Sequence, residues 1–161
     1  MTRFLSFLRN SALLIARIGL GAILLLHGTR RWQAGTQAQI DYLNQFGTPY
    51  AEVAAWGAIT FELVGGLCLL LGALVPLVGL GVLVQQVLTI CYTTWYRGPD
   101  LVSTDGTYAG GFEYSVALGL LGLLFAVLGG GVVSLDRVFR RKRPATTEAY
   151  EPGVPAERVS V

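Results

Sequence analysis

The sequence predicts an all-α integral membrane protein: a four-helix bundle with both termini cytoplasmic and a disordered C-terminal tail. Three observations predict it. Of 161 residues, 53% are hydrophobic and only 14% are charged, whereas soluble domains carry about 25% charge. The apolar residues fall into long runs. The basic residues lie outside those runs and gather mostly near the two chain ends. This composition excludes a soluble enzyme, a coiled coil and a disordered chain, each of which needs more charge. Two cysteines are too few for a disulfide scaffold. A net charge of +2, with no basic stripe carrying interleaved aromatics, excludes a nucleic-acid partner.

A helix rises ~1.5 Å per residue, so a ~30 Å hydrocarbon core needs ~20 apolar residues. The first span is read at about 11–29, where only Arg17 and His27 interrupt the apolar run. No small-residue cleavage site follows it, so it is read as an uncleaved span. Gln33 to Tyr50 is polar and forms a loop, with a short interfacial helix around Ile40 to Phe46. Val53 to Tyr96 carries one charge, Glu62. As a single helix it would be about twice the bilayer thickness, so it folds back. The turn falls at Gly72 to Pro76, where Pro76 suits the first turn of a new helix. The second and third spans are therefore 53–72 and 76–96. Arg97 to Gly111 is a polar loop, and 112–133 is the fourth span. Residues 1–143 form the membrane domain. Residues 144–161, with Pro144, Pro152 and Pro155, form a disordered polar tail.

Arg3, Arg9, Arg137, Arg140, Arg141, Lys142 and Arg143 flank the termini, against Arg30, Arg31 and Arg97 in the long loops. The positive-inside rule places both termini in the cytoplasm. Trp32, Tyr50, Trp56, Tyr92, Trp95, Tyr96 and Tyr108 then fall at the outer interface as an aromatic belt. Glycines recur through the spans, as close helix packing without water requires.

A charge inside a bilayer costs ~2.5–3.5 kcal/mol even on the milder scale, so each needs a partner or a purpose. Counted from the span ends, Glu62 and Gln85 lie near mid-membrane, and His27 and Glu113 lie near the outer ends. We therefore expect a polar cavity open to the outside, lined by His27, Arg30 or Arg31, Glu62, Gln85 and Glu113. Each residue has a plainer role beside this one. Glu113 suits a helix N-terminus. Gln85 and Gln86 suit interhelical bonding. His27 suits the interface, and Glu62 suits an ion pair with Arg30 or Arg31. Arg17 either snorkels to the cytoplasmic face or pairs with Asp136. One histidine cannot ligate haem from both sides, and no Cys-x-x-Cys-His attaches haem. No metal cluster or dinucleotide fingerprint is present. Cys68 and Cys91 lie roughly 20 Å apart in depth, too far for a disulfide.

Arg17-Ile-Gly19-Leu-Gly21, then His27-Gly28 with Arg30-Arg31, resembles the opening of the DoxX (DoxX/DoxD-like) family of small bacterial membrane proteins. Phe61-Glu62-Leu63-Val64-Gly65-Gly66 with Leu70-Leu71-Gly72, and Gly111-Phe112-Glu113-Tyr114, resemble its middle. Gly129-Gly130-Gly131 and Ser134-Leu135-Asp136-Arg137 resemble its ending. The resemblance covers about Arg17 to Val138. It departs at Arg30, where the family often has Lys; the charge is kept but a deprotonatable amine is lost. The family is similar in architecture to vitamin K epoxide reductase-type proteins, whose paired cysteines this chain lacks. The resemblance implies a multi-pass protein of the bacterial cytoplasmic membrane in a redox setting, thiosulfate:quinone oxidoreductase-like or linked to oxidative stress.

Two functions compete most closely. In one, the chain is a quinone-interacting subunit of a membrane oxidoreductase complex. Glu62, His27 and Arg30 are then the catalytic set. Gln85, Tyr92, Trp95, Glu113 and Arg31 form the quinone pocket, and a partner redox protein supplies electrons. In the other, the chain is a non-catalytic anchor that docks a soluble redox enzyme or assembles with itself. A small-solute or lipid carrier is a third, unsupported by any pair of discontinuous helices.

Overall fold

A computed structural model of the chain describes residues 2–136, apart from Asp105 and Tyr108. The expected disordered tail and the basic cluster Arg137 to Arg143 lie outside the described residues, as does Tyr108. Five α-helices follow one another: α1 (Thr2–Ala34), α2 (Thr36–Gln45), α3 (Ala51–Leu71), α4 (Val75–Thr89) and α5 (Glu113–Leu128). A π-turn at Ile90–Thr94 and a 3₁₀ turn at Trp95–Arg97 prolong α4. Among the described residues, three helical stretches are long and apolar enough to cross a membrane: Phe4–Ala34, Ala51–Leu71 and Val75–Arg97.

Several boundaries differ from the sequence reading. α1 begins at Thr2, well before the expected span, because no Gly, Pro or cap interrupts the chain upstream of Ser11. α5 stops at Leu128 rather than Val133. Gly129 and Gly131 take φ of 70° and 76°, a left-handed backbone that ends a helix. α5 is therefore 16 residues long, about 24 Å. The expected interfacial helix is present as α2, starting four residues earlier, at Thr36 rather than Ile40.

The helices pack as two antiparallel pairs, α1 with α3 and α4 with α5. Glycine makes each pair possible. A Cβ on Gly66 would stand 2.9 Å from the Gly21 carbonyl oxygen, and one on Gly21 would stand 3.0 Å from that of Gly66. Gly79 and Gly122 repeat the arrangement between α4 and α5, at 2.6 and 2.8 Å. Leu20, Leu24, Leu69, Val78, Val82 and Phe125 fill the core between the pairs. The start of α1, the chain just after α5 and the α3–α4 turn share one end of the bundle, called here the terminal end. α2 and the 98–112 segment share the other, called here the loop end.

Arg17 settles the terminal end. It is 3% exposed, so it neither snorkels nor forms its main bonds with Asp136. Its Nη1 donates to the carbonyls of Gly130 at 3.0 Å and Val133 at 2.7 Å, tying the chain after α5 to α1. Gly72 turns the chain at φ 74°, and a Cβ there would stand 2.5 Å from Arg17 Nη1. Asp136 accepts hydrogen bonds from Leu74 N at 2.7 Å and Val75 N at 2.9 Å. It thereby caps α4 from across the fold and holds Leu74 at its positive φ of 52°.

Gly79→Ala is expected to destabilise the protein by ~1–3 kcal/mol, the usual cost of overpacking. Gly19→Ala, which meets nothing within 4 Å, is expected to cost nothing. Thermal unfolding in mild detergent compares them. Arg17→Met is expected to leave the bundle helical while speeding proteolysis and hydrogen exchange across residues 129–136.

Candidate functional site

Near the loop end, α1 runs so close to α3 that a Cβ on Gly28 would lie 3.1 Å from the Glu62 Cβ and 3.0 Å from Leu63. Arg31 stands three residues further along α1, on the same helix face. Its Nη1 reaches Glu62 Oε1 at 3.0 Å. From α4, Gln85 Nε2 donates to the same oxygen at 2.7 Å. Glu62 is 2% exposed, so both bonds form away from water and bind three helices to one carboxylate. Glu62 Oε2 and Gln85 Oε1 are buried with no hydrogen-bond partner. An acceptor left without a partner in a dry site costs ~1–3 kcal/mol.

Between α3 and α4 lies a groove of about 1070 Å³, at the upper end of the ~300–1,000 Å³ common for small-molecule sites. It exists because the glycine contacts join α1 to α3 and α4 to α5 but leave α3 and α4 loosely packed. α2 roofs its loop end with Tyr42 and Leu43. Leu43 is held there by packing against Ala51 and Ala55. Arg31 and Gln85 line the groove, and Glu62 stands behind them.

The threonines of α4 shape the same wall. Thr89 Oγ1 donates to Gln85 O at 2.9 Å, and Thr93 Oγ1 donates to Thr89 O at 2.7 Å. Such bonds to a carbonyl four residues back bend a helix. Here they accompany the π-turn at Ile90–Thr94, a local widening often found at functional sites. Thr89, Tyr92, Thr93 and Thr94 all border the groove.

Of the residues singled out from sequence, Arg31, Gln85 and Tyr92 line the groove and Glu62 joins two of them. The others are placed elsewhere. His27 faces α5, stacked on Tyr114 with ring centroids 6.2 Å apart. Arg30 is exposed. Trp95 is exposed and stacks on Phe112 at 5.6 Å. Glu113 opens α5 and accepts a hydrogen bond from Leu101 N at 2.9 Å, which ties the preceding loop to the helix. Sequence reasoning missed Phe61, Tyr42 and the threonines. The Thr89/Thr93 spacing of four was the available signal; the apolar wall gave none, because it reads like any lipid-facing surface. Cys68 and Cys91 are both free thiols, and no group of three potential metal ligands occurs among the described residues.

A family model, DoxX, matches residues 12–95, a stretch that contains α1 from its eleventh residue, α2, α3, α4 and the π-turn. No curated protein and no solved structure matches the chain.

Arg31→Met leaves the Glu62 carboxylate buried without its cation. Because the Arg31 side chain is 28% exposed, the expected cost is at the lower end of the ~3–5 kcal/mol seen for broken buried pairs. Adding Glu62→Gln to Arg31→Met is expected to recover part of that loss. A double-mutant cycle on unfolding free energies should give a coupling of ~0.5–3 kcal/mol; additive effects would show that the pair is not coupled.

Proposed function

The chain belongs to the DoxX family, and on that premise we propose that it binds a membrane quinone in the α3–α4 groove, as a subunit of a membrane oxidoreductase complex. The observation that supports this reading most is the pairing of a largely apolar groove with one polar wall, where Arg31, Gln85, Thr89 and Thr93 gather. A quinone has the same division, with a polar ring and an apolar tail. Arg31 is placed to donate to a carbonyl oxygen and to stabilise charge that develops on it during reduction. Tyr92 walls the ring. Glu62 acts as a positioning residue, because its Oε1 holds both Arg31 and Gln85. Reduction of quinone to quinol takes two electrons and two protons. A partner redox protein supplies the electrons in this reading, water at the loop end supplies the two protons, and the groove-lining Gln85 amide orients the ring.

The reading carries a topology. α5 is the fourth span, completing a four-helix membrane bundle in a bacterial cytoplasmic membrane. The terminal end, with Arg9, faces the cytoplasm. The groove's polar wall then lies in the outer half of the bilayer.

A second reading, a non-catalytic anchor for a soluble redox enzyme or for copies of itself, draws on one observation. Glu62 Oε1 already has two partners within the chain, which suffices for a purely structural tie.

Purification from native membranes in mild detergent, followed by solvent extraction and mass spectrometry, tests the proposal. Near-stoichiometric quinone is expected for the wild type. Gln85→Leu, which removes the groove-lining amide, is expected to lower it about tenfold. No quinone on a well-folded wild-type protein would overturn the proposal, and co-purifying proteins would then decide for the anchor.

A further inference from the structure

Phe61 stands at the middle of the groove. Its ring leaves α3 and lies against the backbone of α4, in the notch that Gly81 leaves open. A Cβ on Gly81 would come within 2.6 Å of the ring Cζ, so the ring sits this deep only because residue 81 has no side chain. On α3 a Cβ at Gly65 would lie 3.5 Å from the same ring. The aromatic ring thus bridges α3 and α4 and gives the groove a waist.

The lining changes character at this waist. On the loop-end side it includes Arg31, Gln39, Thr48, Gln85, Thr89 and Thr93. On the other side it continues with Val64, Cys68, Leu74, Leu77 and Val78, which offer no strong hydrogen-bonding side chain. Along α4 the lining runs from Leu74 to Thr94, a rise of about 30 Å that matches the height of a hydrocarbon core. A compact polar molecule would use only the loop-end chamber. The full length suits an amphiphile with its head beside Gln85 and a long hydrocarbon tail running past Phe61.

We propose that Phe61, seated in the Gly81 notch, is a specificity-determining residue: it sorts ligands by their tails, and the ligand is a long polyprenyl-tailed quinone whose tail passes this waist. The inference rests on the quinone reading and adds to it the tail class and the residue that selects it. A methyl at residue 81 pushes the ring into the passage and closes it, while loss of the ring reopens it.

The test uses the full-length protein in nanodiscs and two probes with the same head group, one bearing a long polyprenyl tail and one a single isoprene unit. Retention of each is measured by mass spectrometry. The wild type is expected to prefer the long-tailed probe by about tenfold or more, near 1.4 kcal/mol. Gly81→Ala is expected to abolish that preference while keeping the short-tailed probe, which also shows that the variant is folded. Phe61→Ala combined with Gly81→Ala is expected to restore it. Phe61→Trp, whose larger ring does not fit the Gly81 notch and so projects into the passage, is expected to behave like Gly81→Ala. Binding of both probes with no tail preference in the wild type, or a full preference kept in both Gly81→Ala and Phe61→Trp, overturns the role of Phe61 and leaves the quinone reading standing. Failure of the wild type to retain either probe overturns both.

Discussion

Helices in a bilayer have no water to drive them together, so they hold fast only where their backbones can touch. Two glycine pairs set where that happens. Gly21 with Gly66 and Gly79 with Gly122 each bring a Cα against the facing carbonyl. Each pair fuses two antiparallel helices. The contact between α3 and α4 has no such pair, and the groove lies along it. The cavity therefore follows from where the close contacts are made and where they are absent.

Two buried polar groups work within that frame in opposite ways. Arg17 forms its bonds to backbone carbonyls, and these fasten the chain after α5. Glu62 gathers Arg31 and Gln85 on one oxygen and leaves the other bare. The first arrangement closes one end of the bundle. The second joins three helices beside a groove. A planar guanidinium suits both, since it can donate from fixed directions where an ammonium would act as a point charge. This fits the presence of Arg, rather than Lys, at both Arg17 and Arg31.

Much of this was legible in the sequence. The 44-residue stretch from Val53 to Tyr96, mostly apolar and with a single charge, required a fold-back, and Gly72 to Pro76 marked it. Glu62 was recognisable because a carboxylate in a span needs a reason, and Gln85 followed from depth, whereas depth left Arg30 and Arg31 as alternatives and only the structure selects Arg31. Depth does not give direction around a helix. His27 is the immediate neighbour of Gly28, yet it points to α5, and Glu113 is occupied with its own loop. A register error of one residue turns a side chain by about 100°, since a helix has 3.6 residues per turn. The groove itself was invisible, because leucine and valine against lipid look the same as leucine and valine lining a cavity. The end of α5 was misread because residues 129–133 are apolar but bend at glycines.

The lengths of the helices have an effect on the surrounding membrane. With α5 as a fourth span, its 16 residues rise only about 24 Å, against a core of ~30 Å. α1, on the other side, exceeds that thickness. Lipids beside α5 must shorten or tilt to cover it, at fractions of a kcal/mol per Å. The bilayer around this protein is then uneven, thinned on one flank and undisturbed on the other. Such a dimple is relieved when a second thin-belted protein settles into it, so lipid elasticity alone favours company on the α5 side, whatever chemistry the groove performs.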